Sequence, residues 1–435
     1  MLLTSSHRFV LLKAEYSRYG CRPVMKAYVE AYGCTLNFGE SREIEDLLVG
    51  KGWEIVQNHE ESDLAVLVTC VVIETTERAM LKRIAELSRA PRLIVTGCMA
   101  TACREKAQRV SPSAAFVAPG DLESFSRVVE SYGSGATSKA REKESYSIVP
   151  IATGCKGACS YCITRLARGE LKSRSKARIV EAVKNAAASG PREIQLTAQD
   201  TAAYGCDIGT NLPAMVKEVC KMPLDFRLRV GMMNPKSVLP LADRIAEMYL
   251  EPKVFKFLHL PLQSASDRLL EHMERGYTAG DFRSIVKKVR EAVPRTTIST
   301  DLIVGYPGES EEDHGKNLSM IAELRPDIVN VTRFSSRPGT KAAEADGRVV
   351  GWKAKERSRE MTELRFKVAL ERNKAWTDTT LVGLSTEKGK NRSTILRTDE
   401  YKQVVVREPL ALGKYYKVKV VDATPTYLIG ARVGD

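Results

Sequence analysis

The stretch GCKGACSYC, residues 154–162, carries Cys155, Cys159 and Cys162 with three and then two residues between them. A structural zinc ion closes its tetrahedron with four ligands, mostly as two short-spaced pairs, and the next cysteine downstream is Cys206. A disulfide would strand one of the three. Ten cysteines in 435 residues are also far too few for a disulfide-stapled secreted chain. The chemistry left is an iron-sulfur cluster held by three thiolates, whose fourth iron keeps a coordination position free for substrate or cofactor. An open iron points to catalysis rather than simple electron carriage.

A second trio is defined by its place relative to strands. From Met25, KAYVEAYG, DLAVLVT and RLIVTG read as short strands, with helical stretches such as SREIEDLLVGKG and ETTERAMLKRIAELS between them. That alternation predicts an open parallel sheet. Cys34, Cys70 and Cys98 each follow one of these strands. Parallel strands share one carboxyl edge, where ligands bind, so the three thiols are expected to meet there. The alternative is that each is a small buried hydrophobe.

SYGSGATSKAREKES, residues 131–145, is rich in Ser, Gly and charge and reads as a linker. Beyond it YSIVPIA, REIQLTA, DFRLRV, KVFKFLHL, TTISTDLIVG and PDIVNVTRF alternate with helical segments. Six βα units predict a partial parallel barrel, with the three-cysteine loop leaving its first strand at the carboxyl end, where barrel active sites lie. From about Asn373 short strands and turns predict a small β-barrel, with eleven Lys or Arg against seven Asp or Glu. Its basic residues, interleaved with Tyr401, Tyr415, Tyr416 and Tyr427, suit RNA binding by charge and stacking as well as they suit a plain solvated barrel. The fold class is therefore α/β, with a terminal β-barrel.

Composition narrows the setting. With 43% hydrophobic residues the chain can build more than one core. The longest apolar run, LAVLVTCVVI, is too short to span a bilayer, and His7 and Arg8 interrupt the amino-terminal apolar stretch where a signal peptide would need continuity. A cytoplasmic location without membrane partners is expected. The formal charge of +13 calls for a polyanionic partner, nucleic acid above all.

The C-x3-C-x2-C spacing with Tyr161 before the last cysteine resembles the radical S-adenosylmethionine superfamily. Within it, the order of parts is similar to the methylthiotransferases, over nearly all of the chain from Met25. Carrying the resemblance are YGCTLN (32–37), GCKGACSYC, HLPLQSASDRLLEHMERGYT (259–278), TDLIVGYPGE (300–309) and FSSRPGT (334–340). It implies an amino-terminal domain over 25–132, a linker over 133–145, a radical domain over 146–372 and an RNA-binding barrel of the TRAM type over 373–435. Residues 1–24 form an extension outside it, either a dispensable arm or a mis-assigned start.

By the same resemblance, Cys155, Cys159 and Cys162 hold a [4Fe-4S] cluster whose free iron is chelated by S-adenosylmethionine. Tyr161 is expected beside the adenine. Gln199 and Asp200, Gln263 and Asp301 are polar groups at the cofactor-facing rim, or else caps of strand ends. Cys34, Cys70 and Cys98 would hold a second [4Fe-4S] cluster that carries the transferred sulfur. No side chain is assigned a general acid or base role. The implied reaction needs an electron donor and a sulfur source, and the sequence names neither.

RVGMMNP (229–235) departs from the version common in bacterial isopentenyladenosine enzymes, and with RLARG (165–169) it resembles the archaeal and eukaryotic threonylcarbamoyladenosine branch. The implied substrate is threonylcarbamoyladenosine at position 37 of tRNAs decoding ANN codons. Other readings are isopentenyladenosine tRNA, an aspartate of a ribosomal protein, and a non-enzymatic iron-sulfur RNA-binding protein. ITRLARGELKSRSKAR (163–178) has six basic residues and one acidic residue immediately after the first cysteine loop, which favours RNA phosphates as its partner.

Overall fold

Five strands carry the amino-terminal cysteines: β1 (Met25–Ala31), β2 (Trp53–Ile55), β3 (Leu64–Thr69), β4 (Leu93–Gly97) and β5 (Ala115–Phe116). They pair in the order β2-β1-β3-β4-β5, every neighbour parallel. LAVLVT and LIVTG are buried throughout, because helices cover both faces of a parallel sheet and leave no side for polar residues. Trp53, Leu64, Val66, Ile94 and Phe125 fill the core of this unit. The computed structural model describes residues 24–133, 146–188 and 193–434, so most of the expected extension and linker lies outside the described residues.

The second compact unit begins with β6 (Tyr146–Pro150), followed by the short pair β7 (Ala152–Thr153) and β8 (Lys172–Ser173). β9 (Glu193–Thr197), β10 (Arg227–Val230), β11 (Phe257–His259), β12 (Thr297–Val304) and β13 (Ile328–Arg333) complete six parallel barrel strands. Two three-stranded sheets, β10-β9-β6 and β11-β12-β13, are joined through a parallel bridge from Leu228 to Val254. The expected six-unit partial barrel is thus present.

A helix over Gly351–Lys374 leads into β14 (Thr380–Lys388), β15 (Thr394–Thr398), β16 (Gln403–Val406), β17 (Tyr415–Ala423) and β18 (Leu428–Arg432). These close into a barrel, β14-β15-β16-β18-β17, around Leu396, Val404, Val418 and Leu428. Its β15–β16 turn enters the amino-terminal mouth of the parallel barrel. Tyr401, at φ +62°, packs against Phe255 and Phe257, with 4.9 Å between ring centres in each pair, and its hydroxyl donates to Glu193 at 2.6 Å. Arg227 pairs with Asp399, and buried Lys402 donates to Asp327 at 2.7 Å. Aromatic burial and charge together dock the terminal barrel onto the parallel one.

Candidate active site

The loop 154–162 is held so that its thiols share one small space. Gly154 has φ +72°, and a Cβ there would lie 1.9 Å from the Glu170 carbonyl oxygen, so the chain can double back only with glycine. Cys155 N–H donates to the Gly169 carbonyl at 3.2 Å. A Cβ on Gly157 would lie 3.4 Å from Cys155 Sγ and 3.7 Å from Cys159 Sγ, so this glycine keeps the space between the two sulfurs open. Ser160 pins the far end: its Oγ donates to the His272 carbonyl and shares a hydrogen bond with the Tyr306 hydroxyl, each at 2.9 Å.

Buried Arg275, just beyond the helix Asp267–His272, holds the loop through its side chain. Its Nη1 donates to Cys159 Sγ at 3.2 Å and to the Tyr161 hydroxyl at 3.3 Å, while Nη2 reaches Asn234 Oδ1 at 3.3 Å. Its Nε donates to Tyr277, whose hydroxyl donates in turn to the Leu262 carbonyl at 2.7 Å. Burial alone would weaken this cation, but Tyr161, Tyr277 and Cys159 around it hold its pKa well above the ordinary arginine value. Sequence reasoning gave Arg275 no role, although it lies in the quoted segment 259–278.

Burial pushes the Cys155 thiol up to about 11, against the opposing Gly157 N–H, and burial beside Cys159 also raises Cys162. Ionising Cys155 or Cys162 is therefore costly by itself and calls for a compensating positive centre, as an iron cluster supplies. Among the described residues no group of three His, Cys, Asp or Glu is placed to hold a single metal ion. Each cluster thiolate binds a different iron, so a cluster trio needs wider spacing than ligands of one ion. The donor set and the gap kept by Gly157 fit such a group.

The expected rim residues occupy distinct places. Tyr161 packs edge-on to Tyr306, with 6.4 Å between ring centres, and lies next to Arg275. Gln199 Oε1 is buried with no partner. Buried Asp200 accepts from the N–H groups of Ala202 at 3.2 Å and Asn234 at 3.0 Å, and from Ser237 Oγ at 2.6 Å, so it ties the β9 and β10 ends together. Gln263 has φ +66°, and its N–H donates to the Asp301 carbonyl at 2.8 Å. Asp301 lies within β12, where its carboxylate accepts from His259 Nε2 at 2.9 Å and Asn330 Nδ2 at 2.7 Å. Burial would raise Asp301, but the His259 and Asn330 contacts and the charge of Arg275 hold it below the ordinary carboxylate range.

In the first unit, Cys34, Cys70 and Cys98 stand beyond the carboxyl ends of β1, β3 and β4, which are neighbours in the sheet. A Cβ on Gly33 would lie 2.9 Å from Cys70 Sγ, so the turn bearing Cys34 rests directly on Cys70. Asn37 Nδ2 fastens that turn, donating to the carbonyls of Tyr32 at 2.6 Å and Thr69 at 2.9 Å. Cys98 N–H donates to the Thr69 carbonyl at 2.9 Å. Cys34 is exposed while Cys70 and Cys98 are buried. Cys103 is also buried, at a junction between two short helices.

Two surface expectations need correction. Tyr401 is not a stacking platform for RNA, because its ring is spent against Phe255 and Phe257; Tyr415 keeps an exposed ring. In the basic run 163–178, Arg168 is buried, so fewer than six cations face solvent there. Among the described residues no helix is long and apolar enough to cross a membrane.

Residues 149–321 match the Radical SAM superfamily and residues 26–119 match a family described as Uncharacterized protein family UPF0004. A probable threonylcarbamoyladenosine tRNA methylthiotransferase of Pyrococcus horikoshii is 38% identical over 94% of this chain and 99% of its own. The threonylcarbamoyladenosine tRNA methylthiotransferase of Xenopus laevis is 30% identical over 94% of this chain and 77% of its own. A solved radical S-adenosylmethionine methyltransferase, TsrM from Kitasatospora setae, shares the fold at a TM-score of 0.56 and 14% identity, over 74% of this chain and 75% of that one. With the cysteine loop at the carboxyl end of a parallel barrel, the cysteine-edged sheet before it and relatives matched over 94% of its length, the chain belongs to the threonylcarbamoyladenosine tRNA methylthiotransferase family of radical S-adenosylmethionine enzymes.

Proposed function

We propose that this enzyme converts threonylcarbamoyladenosine at tRNA position 37 to its 2-methylthio derivative. The observation that carries the reading is the pairing of two separate cysteine trios, each at the carboxyl edge of parallel strands, in a chain that matches relatives named for this activity over 94% of its length. Cys155, Cys159 and Cys162 hold the first [4Fe-4S] cluster, and Cys34, Cys70 and Cys98 hold a second that carries the sulfur. With S-adenosylmethionine bound, the first cluster would supply the electron that cleaves the sulfonium, giving the radical chemistry needed to remove a hydrogen from an unactivated aromatic carbon.

The chain's own residues orient and enclose. Arg275 fixes Cys159 and Tyr161 relative to each other and to Asn234. Tyr161 lies beside the adenine, and Gln199, Gln263 and Asp301 offer their polar groups to S-adenosylmethionine, with Asp200 holding the rim in shape. The terminal barrel, docked through Tyr401, and the cations of 163–178 take the tRNA backbone by phosphate contacts that position rather than specify. The electron donor and the sulfur source act from outside the chain. In cells lacking the gene, tRNA should retain threonylcarbamoyladenosine at position 37 and lose the 2-methylthio form, with recovery on complementation; an unchanged 2-methylthio level refutes the assignment.

A further inference from the structure

Of the three tryptophans, two are interior: Trp53 in the core of the first unit and Trp376 in that of the terminal barrel. Trp352, in the first turn of the helix Gly351–Lys374, keeps 68% of its surface exposed, and among the described residues no ring or cation packs against it. A single exposed apolar side chain is ordinary; the place of this one is not. Gly305, directly after β12, leaves room for the helix, since a Cβ there would lie 2.7 Å from the Ala354 Cβ. The next residue, buried Tyr306, shares a 2.9 Å hydrogen bond with Ser160 Oγ in the cysteine loop. The segment entering the helix touches the same loop: Ala342 N–H donates to the Ser160 carbonyl at 2.9 Å, and Gly308 N–H donates to the Gly347 carbonyl at 2.8 Å. Two routes of contact therefore join Ser160 to the turn bearing Trp352. Side chains tilt toward a helix's amino terminus, which here is the carboxyl rim of the barrel strands.

The surroundings of the indole are cationic. From Arg348 to Arg359 the sequence holds five basic residues and one acidic residue, Glu356. Arg357 is buried against Glu309 and Glu311, and Lys353 also pairs with Glu311, so these two fasten the turn. Arg333 at the end of β13, Lys355 and Arg359 are exposed and have no carboxylate partner among the described residues. Arg348 donates to the Ala343 carbonyl at 3.1 Å. An aromatic face among cations free of carboxylates suits single-stranded nucleic acid, which stacks its bases on the ring and sets its phosphates on the charges. A protein interface needs about 800 Å² a side with few charges at its centre, more apolar surface than Trp352 and Val350 offer here.

We infer that Trp352 stacks on an unpaired base of the anticodon loop next to position 37, with Arg333, Lys355 and Arg359 taking the phosphates around it. The inference rests on tRNA being the substrate. Chemistry on a ring carbon takes the adenine out of the loop's stack, and its neighbours then lose their stacking partner. An indole beside the entrance replaces that partner and holds the loop open while the adenine is inside. Trp352 is thus a positioning residue: it touches the RNA but not the reacting carbon.

The test measures binding, not turnover. Anticodon stem-loops carrying threonylcarbamoyladenosine at position 37 are titrated anaerobically against the full reconstituted chain, once with an intact loop and once with abasic nucleotides at positions 36 and 38. Trp352→Ala should weaken binding of the intact loop by about five- to a hundredfold and barely change that of the abasic loop, while Trp352→Phe should keep most of the affinity. Because Trp53 and Trp376 are buried, acrylamide quenching of the wild type reads Trp352, and the intact loop should shield it. Unchanged affinity in Trp352→Ala overturns the inference. Equal weakening of both loops overturns it in favour of a packing role, and a changed oligomeric state without loss of affinity overturns it in favour of a self-association face. Circular dichroism and iron content report folding of the variants; if Trp352→Ala misfolds, the quenching decides, and an indole left unshielded by the bound loop overturns the inference. A wild type that binds no anticodon stem-loop refutes the tRNA reading itself, whereas binding that ignores Trp352 refutes this inference alone.

Discussion

Replacing Asp327 with Asn should loosen the terminal barrel far more than replacing its partner Lys402 with Met. Asp327 is almost fully buried and accepts from the Ile298 N–H at 2.9 Å, from Arg372 at 3.0 and 3.1 Å and from Lys402 at 2.7 Å. Asn keeps the shape but removes the charge, leaving buried Lys402 and half-buried Arg372 without compensation, which costs about 3–5 kcal/mol. Lys402→Met instead removes an ammonium that burial already disfavours, its pKa being pushed below the ordinary lysine value, and leaves Asp327 paired with Arg372 and Ile298. The loss there is one charge-assisted hydrogen bond, offset by relief of that desolvation, so about 1–2 kcal/mol. Burial would raise the Asp327 carboxyl, but Lys402 and Arg372 outweigh it and hold it below its ordinary value. Its stabilisation is therefore present above the unfolded pKa of about 3.9 and is lost as pH falls through the lower folded value. Urea unfolding, with amide exchange read at Asp399–Gln403, measures both variants; equal losses, or a larger loss for Lys402→Met, would refute the reasoning, as would an acid limb that Asp327→Asn leaves unchanged.

The cysteine trios should separate by assay. Cys159→Ala should abolish reductive cleavage of S-adenosylmethionine, whereas replacing Cys34, Cys70 and Cys98 together with Ala should remove about half the iron and spare that cleavage. Full iron content with product formation in the triple variant would reduce those cysteines to small buried side chains. Arg275→Gln removes the cation that donates to Cys159 Sγ, so an electron paramagnetic resonance titration should find the first cluster harder to reduce, and an unshifted potential would deny Arg275 that role.

What the sequence reveals depends on how local each signal is. β3 and β4 are uninterrupted apolar runs and the six barrel strands recur between helices, so sheet, barrel and both cysteine trios are legible. β2 and β5, at three and two residues, are too short to show periodicity and escape such a reading. Arg275 escapes for another reason: its partner Cys159 is 116 positions away, and only the packing of the helix Asp267–His272 against Ser160 brings them together. Tyr401 misleads because composition cannot tell an inward aromatic from an outward one. Its left-handed backbone at φ +62° turns the ring into the barrel mouth. A cavity at the amino-terminal mouth of the parallel barrel, lined by Arg229, Arg365 and Arg397, draws on β10, the helix Gly351–Lys374 and β15, which no sequence window spans.

The most direct measurement is nucleoside mass spectrometry after anaerobic incubation of the reconstituted enzyme, reductant, sulfide and S-adenosylmethionine with three tRNAs side by side. These carry threonylcarbamoyladenosine, isopentenyladenosine or plain adenosine at position 37. The 2-methylthio product should accumulate on the threonylcarbamoyladenosine tRNA alone. Equal product on the isopentenyladenosine tRNA, or cleavage of S-adenosylmethionine with no methylthiolated nucleoside on any of the three, would contradict the account.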